Sequence, residues 1–185
     1  MKFKNIKKIH EGDFITRYDI EYETSSGAPQ IYEMISRDPD ISALDDIIDS
    51  KTDAVVMIMH DKTGEKILIN REFRMAAGRY IYNFPAGLID GTEAPEEAAA
   101  RELYEETGLK LTRIDEIWGE SYSAVGFSNE KNILVVGTAE GEIRPSDSEA
   151  EEIDARWYTK AETAKLLTEE YFAARTQAYC MLWCR

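Results

Sequence analysis

The stretch Arg101 to Gly108 reads RELYEETG and sets three carboxylates, Glu102, Glu105 and Glu106, within five residues. The flanking pattern is helical, so positions i, i+3 and i+4 fall on one face. Like charges at that spacing repel by roughly 0.2–0.5 kcal/mol per pair on an exposed helix. Carboxylate oxygens gathered this way suit a hard cation such as Mg²⁺ or Mn²⁺, which keeps several waters and also takes substrate phosphates. A cation there would offset the repulsion, neutralise charge on a phosphoryl group under attack and lower the pKa of the attacking water. Taken alone, the stretch fits a solvated charged helix face better than a metal site.

The elements around it have readable ends. Pro95 fits the first turn of the helix, Glu96 and Glu97 suit the positive end of its dipole, and Gly108 suits the residue that stops it. Upstream, AVVMIMH (54–60) reads as a buried strand, KILINREF (66–73) pairs back, and GRYIYNF (78–84) is a third strand ending at Pro85-Ala86-Gly87. Downstream, strands are expected near 111–121, 132–138 and 155–159. An acid-rich loop is expected at 140–154, and a helical stretch at 160–183 with a break near Glu170.

At the other end, FITRYDIEY (14–22) alternates, with Phe14, Thr16, Tyr18, Ile20 and Tyr22 on one face. That is a half-buried antiparallel strand, and QIYEMISR (30–37) returns as its partner. A lone two-stranded hairpin is marginal in water, so this unit must pack against something, and a second copy of the chain is one answer. The polar connection 38–52 contains one helical turn and marks the boundary. Residues 1–50 are then an antiparallel strand unit and 51–185 the main domain.

Composition narrows the classes. The 185 residues are 43% hydrophobic and carry a net charge of −14. Such a field disfavours broad binding to nucleic acid or anionic membrane, so an anionic ligand needs a local arginine cluster or a bound cation. No apolar run approaches the roughly 20 residues of a membrane span. MKFKNIKKIH is basic without an apolar core and does not read as a signal peptide. Cys180 and Cys184 cannot make a disulfide framework or a complete zinc site, and read as reduced thiols on a terminal helix. A cytoplasmic location is the expectation.

RELYEETG is one half of a longer unit, GLIDGTEAPEEAAARELYEETGL (87–109), in which Gly87, Glu93, Arg101-Glu102-Leu103, Glu105-Glu106 and Gly108-Leu109 match the pattern G-x5-E-x7-R-E-U-x-E-E-x-G-U, with U aliphatic. The chain therefore resembles the Nudix hydrolases. The resemblance implies an α/β/α sandwich around a mixed sheet, an α/β (α+β) fold, with the N-terminal antiparallel sheet as an extra unit. It implies Mg²⁺ or Mn²⁺ held by Glu102, Glu105, Glu106 and the Ala86 carbonyl. Arg101 would hold the glutamates in place and Glu93 would fix the loop.

Three further stretches resemble the ADP-ribose pyrophosphatase branch. SYSAVGFSNE (121–130) is similar to its S-P-G-x-S-x-E loop, with Val125 where that branch has proline, and implies Glu130 as a base or metal-site residue. Asn70-Arg-Glu-Phe-Arg74 resembles its Q-Y/F-R motif and implies Arg74 as a phosphate contact. Asn83 stands where a glutamate is common. The N-terminal strands resemble a sheet exchanged between two subunits, with Phe14 and Tyr32 at adenine-stacking positions and Arg37 at a phosphate-binding position. The implied activity is hydrolysis of a nucleoside diphosphate linked to a sugar, foremost ADP-ribose to AMP and ribose 5-phosphate, by a homodimer. Alternatives are another nucleoside diphosphate sugar, or a Nudix-fold module that binds an effector without cleaving it.

Overall fold

In the computed structural model, residues 1–146 and 152–185 are described, and the acid-rich loop expected at 140–154 lies outside them at 147–151. By compactness the chain divides into one unit of 1–53 with 120–132 and another of 54–119 with 133–185.

The first unit is built on three antiparallel strands, β1 (Lys2–Glu11), β2 (Thr16–Glu23) and β3 (Pro29–Ser36), in that order. The sheet is thus three-stranded, not the hairpin that the sequence pattern indicates. The strand that escapes the pattern is β1, because its register against β2 shifts between Phe3 and Asn5 and again between Lys8 and His10. Each such irregularity breaks the period of two, so the inward Phe3 and Ile6 fall out of alternation and Ile9 stands exposed. Tyr18, Ile20 and Met34 face inward with Ile6 and Ile41, and Phe3, Tyr22 and Ile47 pack on them. Phe14 is not on this face: β2 begins at Thr16, and Phe14 stands 82% exposed ahead of it. The helix α1 (Leu44–Ile48) follows, its start tied by the Asp46 carboxylate, which accepts from the Ser42 and Ala43 amides at 2.8 Å each.

The second unit carries the α/β/α sandwich around a mixed sheet. Its strands are β4 (Ala54–His60), β5 (Lys66–Arg74), β6 (Arg79–Asn83), β7 (Ala86–Leu88), β8 (Lys110–Tyr122), β9 (Lys131–Glu140) and β10 (Ile153–Thr159). Among the described residues the order is β10-β5-β4-β9-β8, with β6 added on β5 and β7 on β4. The ends of β8 and β9 at 120–122 and 131–132 belong to the other unit. Alternate residues of β4 feed two cores. Val55, Met57 and Met59 join Ala98, Ala99 and Leu103 of α2 (Pro95–Thr107), whereas Val56 and Ile58 join Ile67, Ile69 and Phe84. That second face is covered by α3 (Lys160–Glu169) and α4 (Ala174–Trp183), through Leu166, Leu167, Tyr179 and Cys180. Strands buried on both faces read as continuous apolar runs, as AVVMIMH does.

Pairing of β4 with β5 is recorded at His60 and Ile67, while further along β5 pairs with β6 from Asn70–Asn83 to Arg74–Arg79. On β4, Val55 and Val56 pair instead with Gly87 and Ala86 of the short β7. These two additions bring the loop ahead of α2 against the sheet. No helix among the described residues is long and apolar enough to cross a membrane.

Burial sets the thiols apart. Cys180 is fully buried and its thiol is pushed up to about 12 by desolvation, while Cys184 is half-buried and also raised. The thiolate is the reactive form. Alkylation of the native protein near pH 8 is therefore expected to label Cys184 slowly and to spare Cys180 until denaturant is added. Peptide mass spectrometry of the alkylated protein checks this, and early Cys180 labelling would contradict it.

Candidate active site

Helix α2 presents its glutamates unequally. Successive residues turn by about 100°, so Glu105 and Glu106 diverge to either side of Glu102. Glu106 is 7% exposed, Glu102 is half-buried and Glu105 points outward. The stripe is therefore a pair, Glu102 and Glu106 one turn apart, with Glu105 on the rim. Leu103 and Ala99, fully buried, anchor the inner side of the helix. Gly108 stops it in the left-handed region at φ 76°, a conformation that favours glycine.

Arg101 ties the assembly together. Its Nε and Nη2 donate to the two oxygens of Glu93 at 3.1 and 2.8 Å. Its Nη1 donates to Glu102 at 2.7 Å and to Glu105 at 3.4 Å, and Nη2 also reaches the Leu88 carbonyl at 3.0 Å. A planar guanidinium can serve all of these at once, which an ammonium cannot. Hydrogen bonding to Glu93 raises the Arg101 pKa above that of an ordinary arginine, and the same bonds hold the Glu93 carboxyl below its usual range. Glu93 also accepts from the Asp90 amide at 3.3 Å, closing the loop ahead of the helix.

Gly87 is required by contact. A Cβ there would lie 1.9 Å from Glu102 Cδ and 2.2 Å from its Oε2. The Glu102 carboxylate therefore lies directly against the backbone that follows the Ala86 carbonyl.

Beside Glu106 lies a set of buried polar residues to which sequence reasoning assigns no role. Asn70, 1% exposed on β5, donates from Nδ2 to Glu106 Oε2 at 2.8 Å. Two residues along, the buried Glu72 accepts from Asn83 Nδ2 at 3.0 Å, and Arg74 Nη1 lies 3.5 Å from it. Asn83 Oδ1 accepts from Thr176 Oγ1 at 2.9 Å, and that hydroxyl accepts from the Phe84 amide at 3.1 Å. The signal is present in KILINREF: Leu68, Asn70 and Glu72 share a strand face, and two of the three are polar where the first is core. Arg74 is exposed at the end of β5.

The remaining candidates belong to the first unit. Arg37 Nε donates to Glu130 Oε2 at 3.0 Å. The loop 123–130 is closed on itself, the Ser123 amide donating to the Glu130 carbonyl at 2.9 Å and the Phe127 amide to Ala124 at 3.0 Å. It is tied to β3 by the Ile35 amide, which donates to the Phe127 carbonyl at 2.9 Å, and by the Tyr32 hydroxyl, which donates to the Gly126 carbonyl. Tyr32 also lines a largely apolar cavity of about 370 Å³ with Tyr22, Met34, Tyr122 and Val125. Phe14 is not among its lining residues.

A family model described as the NUDIX domain matches residues 50–179. The chain belongs to the Nudix family. An uncharacterized Nudix hydrolase of Schizosaccharomyces pombe is 26% identical over 164 residues, 88% of this chain and 77% of that protein. An ADP-ribose pyrophosphatase of Mycobacterium tuberculosis is 33% identical over 115 residues, 60% of this chain and 55% of that protein. A solved structure described as an ADP compounds hydrolase superposes with a TM-score of 0.75 at 21% identity, covering 99% of this chain and 92% of that one, a likeness of fold.

The contact at Gly87 predicts a separation of effects. In Gly87→Ala the methyl must displace Glu102, whose end is flexible, so stability should stay within about 1 kcal/mol of wild type. Urea unfolding measures that, and a structure of the variant should show Glu102 in another rotamer. A loss above about 3 kcal/mol would mean that Glu102 cannot yield.

Proposed function

We propose that this protein is a divalent-cation-dependent pyrophosphohydrolase of nucleoside diphosphate sugars, with ADP-ribose as the preferred substrate and AMP and ribose 5-phosphate as products. The observation that carries the reading is the inward pair Glu102 and Glu106 beside the Ala86–Gly87 backbone, within a complete Nudix signature. Among the relatives named for an activity, the ADP-ribose pyrophosphatase of M. tuberculosis supports this reading.

The donor set fits a hard cation. Among the described residues no three histidine, cysteine, aspartate or glutamate side chains form a group that could hold a metal ion. Mg²⁺ does not need one, since it commonly takes one or two carboxylates and completes its shell with water and substrate phosphate. Glu102, Glu106 and the Ala86 carbonyl would hold it, with Glu105 reaching it through water. When bound, Mg²⁺ or Mn²⁺ supplies charge neutralisation at the diphosphate and a more acidic water.

The chain's own residues do the rest. Arg101 orients Glu102 and keeps Glu105 from turning away. Arg74 and Arg37 would bind diphosphate oxygens, which places local cations in a field of net charge −14. The cavity beside Tyr32 would take the nucleoside base, its tyrosine faces offering stacking surface. Glu130 would take the proton of the attacking water. Its present partner is Arg37, so a phosphate that draws Arg37 away leaves Glu130 free to accept that proton.

Glu106→Gln keeps shape and removes charge, and is expected to lower kcat by roughly 100-fold or more at saturating Mg²⁺. Near-wild-type turnover would remove Glu106 from the cation site. Comparing kcat/KM for ADP-ribose, ADP-glucose, GDP-mannose and dGTP tests the substrate. ADP-ribose should lead, and a lead for dGTP would overturn both the substrate class and the role given to Arg37.

The exposed Phe14 and Ile31 of the first unit, together with the resemblance of its strands to an exchanged sheet, support a homodimer built through residues 1–50. Light scattering at micromolar protein should report twice the chain mass of 21.1 kDa. A fully active species of single-chain mass would rule the dimer out.

A further inference from the structure

We propose that Asn70 is an oxygen donor to the cation shell, acting through the free face of its amide, an inference that rests on the proposed cation site at Glu102 and Glu106. Asn70 sits on β5, inside the sandwich, on the strand face that Leu68 shares with the α2 core. It is 1% exposed. Its Nδ2 donates to Glu106 Oε2 at 2.8 Å, while its Oδ1 is fully buried and has no hydrogen-bond partner. Buried polar atoms in folded proteins are paired in the great majority of cases, so an orphaned carbonyl oxygen asks for a partner.

Its position says which kind. The amide cannot be turned over to satisfy Oδ1, because that would set an amide oxygen against a carboxylate oxygen. Glu106 therefore fixes the amide, and the amide fixes where Oδ1 lies, one bond from the carbon that carries Nδ2. An acceptor oxygen is thus held within a few ångströms of a buried carboxylate. Two oxygens in that relation, shielded from bulk water, match a hard cation or a water bound to one, and asparagine carbonyls belong to the ligand set of such ions. An apolar partner would leave Oδ1 unpaired, and an anionic one would repel it.

A structural account competes with this. Asn70 could serve only to give Glu106 one donor, and its Oδ1 would then be incidental. The two accounts separate on cation affinity measured without turnover. Mn²⁺ binding is followed by electron paramagnetic resonance of the free ion in wild type, Asn70→Val and Asn70→Asp, with thermal unfolding in EDTA recorded alongside. Asn70→Val removes both amide ends, and should weaken Mn²⁺ binding roughly 10-fold or more. Asn70→Asp loses the N–H donor but keeps an oxygen at the Oδ1 position, and should bind Mn²⁺ at least as tightly as wild type. If both variants weaken binding alike, the donor to Glu106 is what counts and the proposal is overturned. It is equally overturned if Asn70→Val binds Mn²⁺ as wild type does. Should Asn70→Val fail to fold, Asn70→Asp against wild type decides: affinity kept or raised supports the role of Oδ1, affinity lost excludes it. Wild type that binds no Mn²⁺ would instead sink the cation site itself, and this inference with it.

Discussion

The geometry of the loop-helix unit depends on one guanidinium. Glu93, Glu102 and Glu105 approach one another from a loop and two positions of a helix, in a chain whose net charge is already −14. Without a cation between them these carboxylates would separate, and the loop 88–94 would lose its anchor. Arg101 supplies that cation in a planar form whose nitrogens meet Glu93 by two bonds, Glu102 and Glu105 by one each, and the Leu88 carbonyl by another. Each bond fixes a direction as well as a distance, so Glu102 is turned rather than merely attracted. A lysine at the same place would neutralise charge without setting those directions.

The sheet supplies the matching surface. Because β7 adds to β4 at Ala86–Gly87, the Glu102 carboxylate comes to lie against that backbone only because Gly87 carries no Cβ. Because β6 adds to β5, Asn70 pairs with Asn83; Asn70 reaches Glu106 of α2, and Asn83 reaches Glu72 and Thr176. The buried Glu106 would be costly if it lacked hydrogen bonds. Asn70 gives it one from a rigid strand, so the strand, not the solvent, decides how that carboxylate is aimed.

What could be read in the sequence, and what could not, follows from range. The signature 87–109 is local: the residues that meet are separated by a helical turn or a short loop, and their spacing survives as a pattern. The strands buried on both faces are similarly plain, as AVVMIMH shows. Strand β1 was hidden because two register irregularities interrupt its alternation. The short β7 was hidden because Pro85-Ala86-Gly87 reads as the end of a strand rather than the start of one. The Asn70–Glu106 bond joins residues 36 apart, and the Arg37–Glu130 pair residues 93 apart. No periodicity links such positions; only the folded strands do. The outward turn of Glu105 could have been foreseen, since adjacent helical residues diverge by about 100° and the two faces of α2 differ in hydrophobicity.

A common arrangement runs through three of the arginines. Arg37 lies on Glu130, Arg74 beside Glu72, and Arg101 among Glu93, Glu102 and Glu105. In an acidic chain an arginine left alone would draw in mobile counter-ions or the nearest carboxylate, and a fixed internal partner prevents both. The strength of that partnership then sorts the arginines by task. Arg101 is held by several short bonds from partly buried groups, so an incoming anion gains little by competing with them, and the residue remains an organiser. Arg37 and Arg74 each have a single carboxylate partner recorded at or beyond 3.0 Å and stand more open to water. The exposed Arg37–Glu130 pair contributes only about 0–1 kcal/mol. A diphosphate, with more charge than a carboxylate and oxygens matched to the guanidinium fork, can exchange with such a partner at small expense. On the proposed reading, the same acidity that repels anions in general would leave these two arginines oriented for a ligand with enough charge to displace a glutamate.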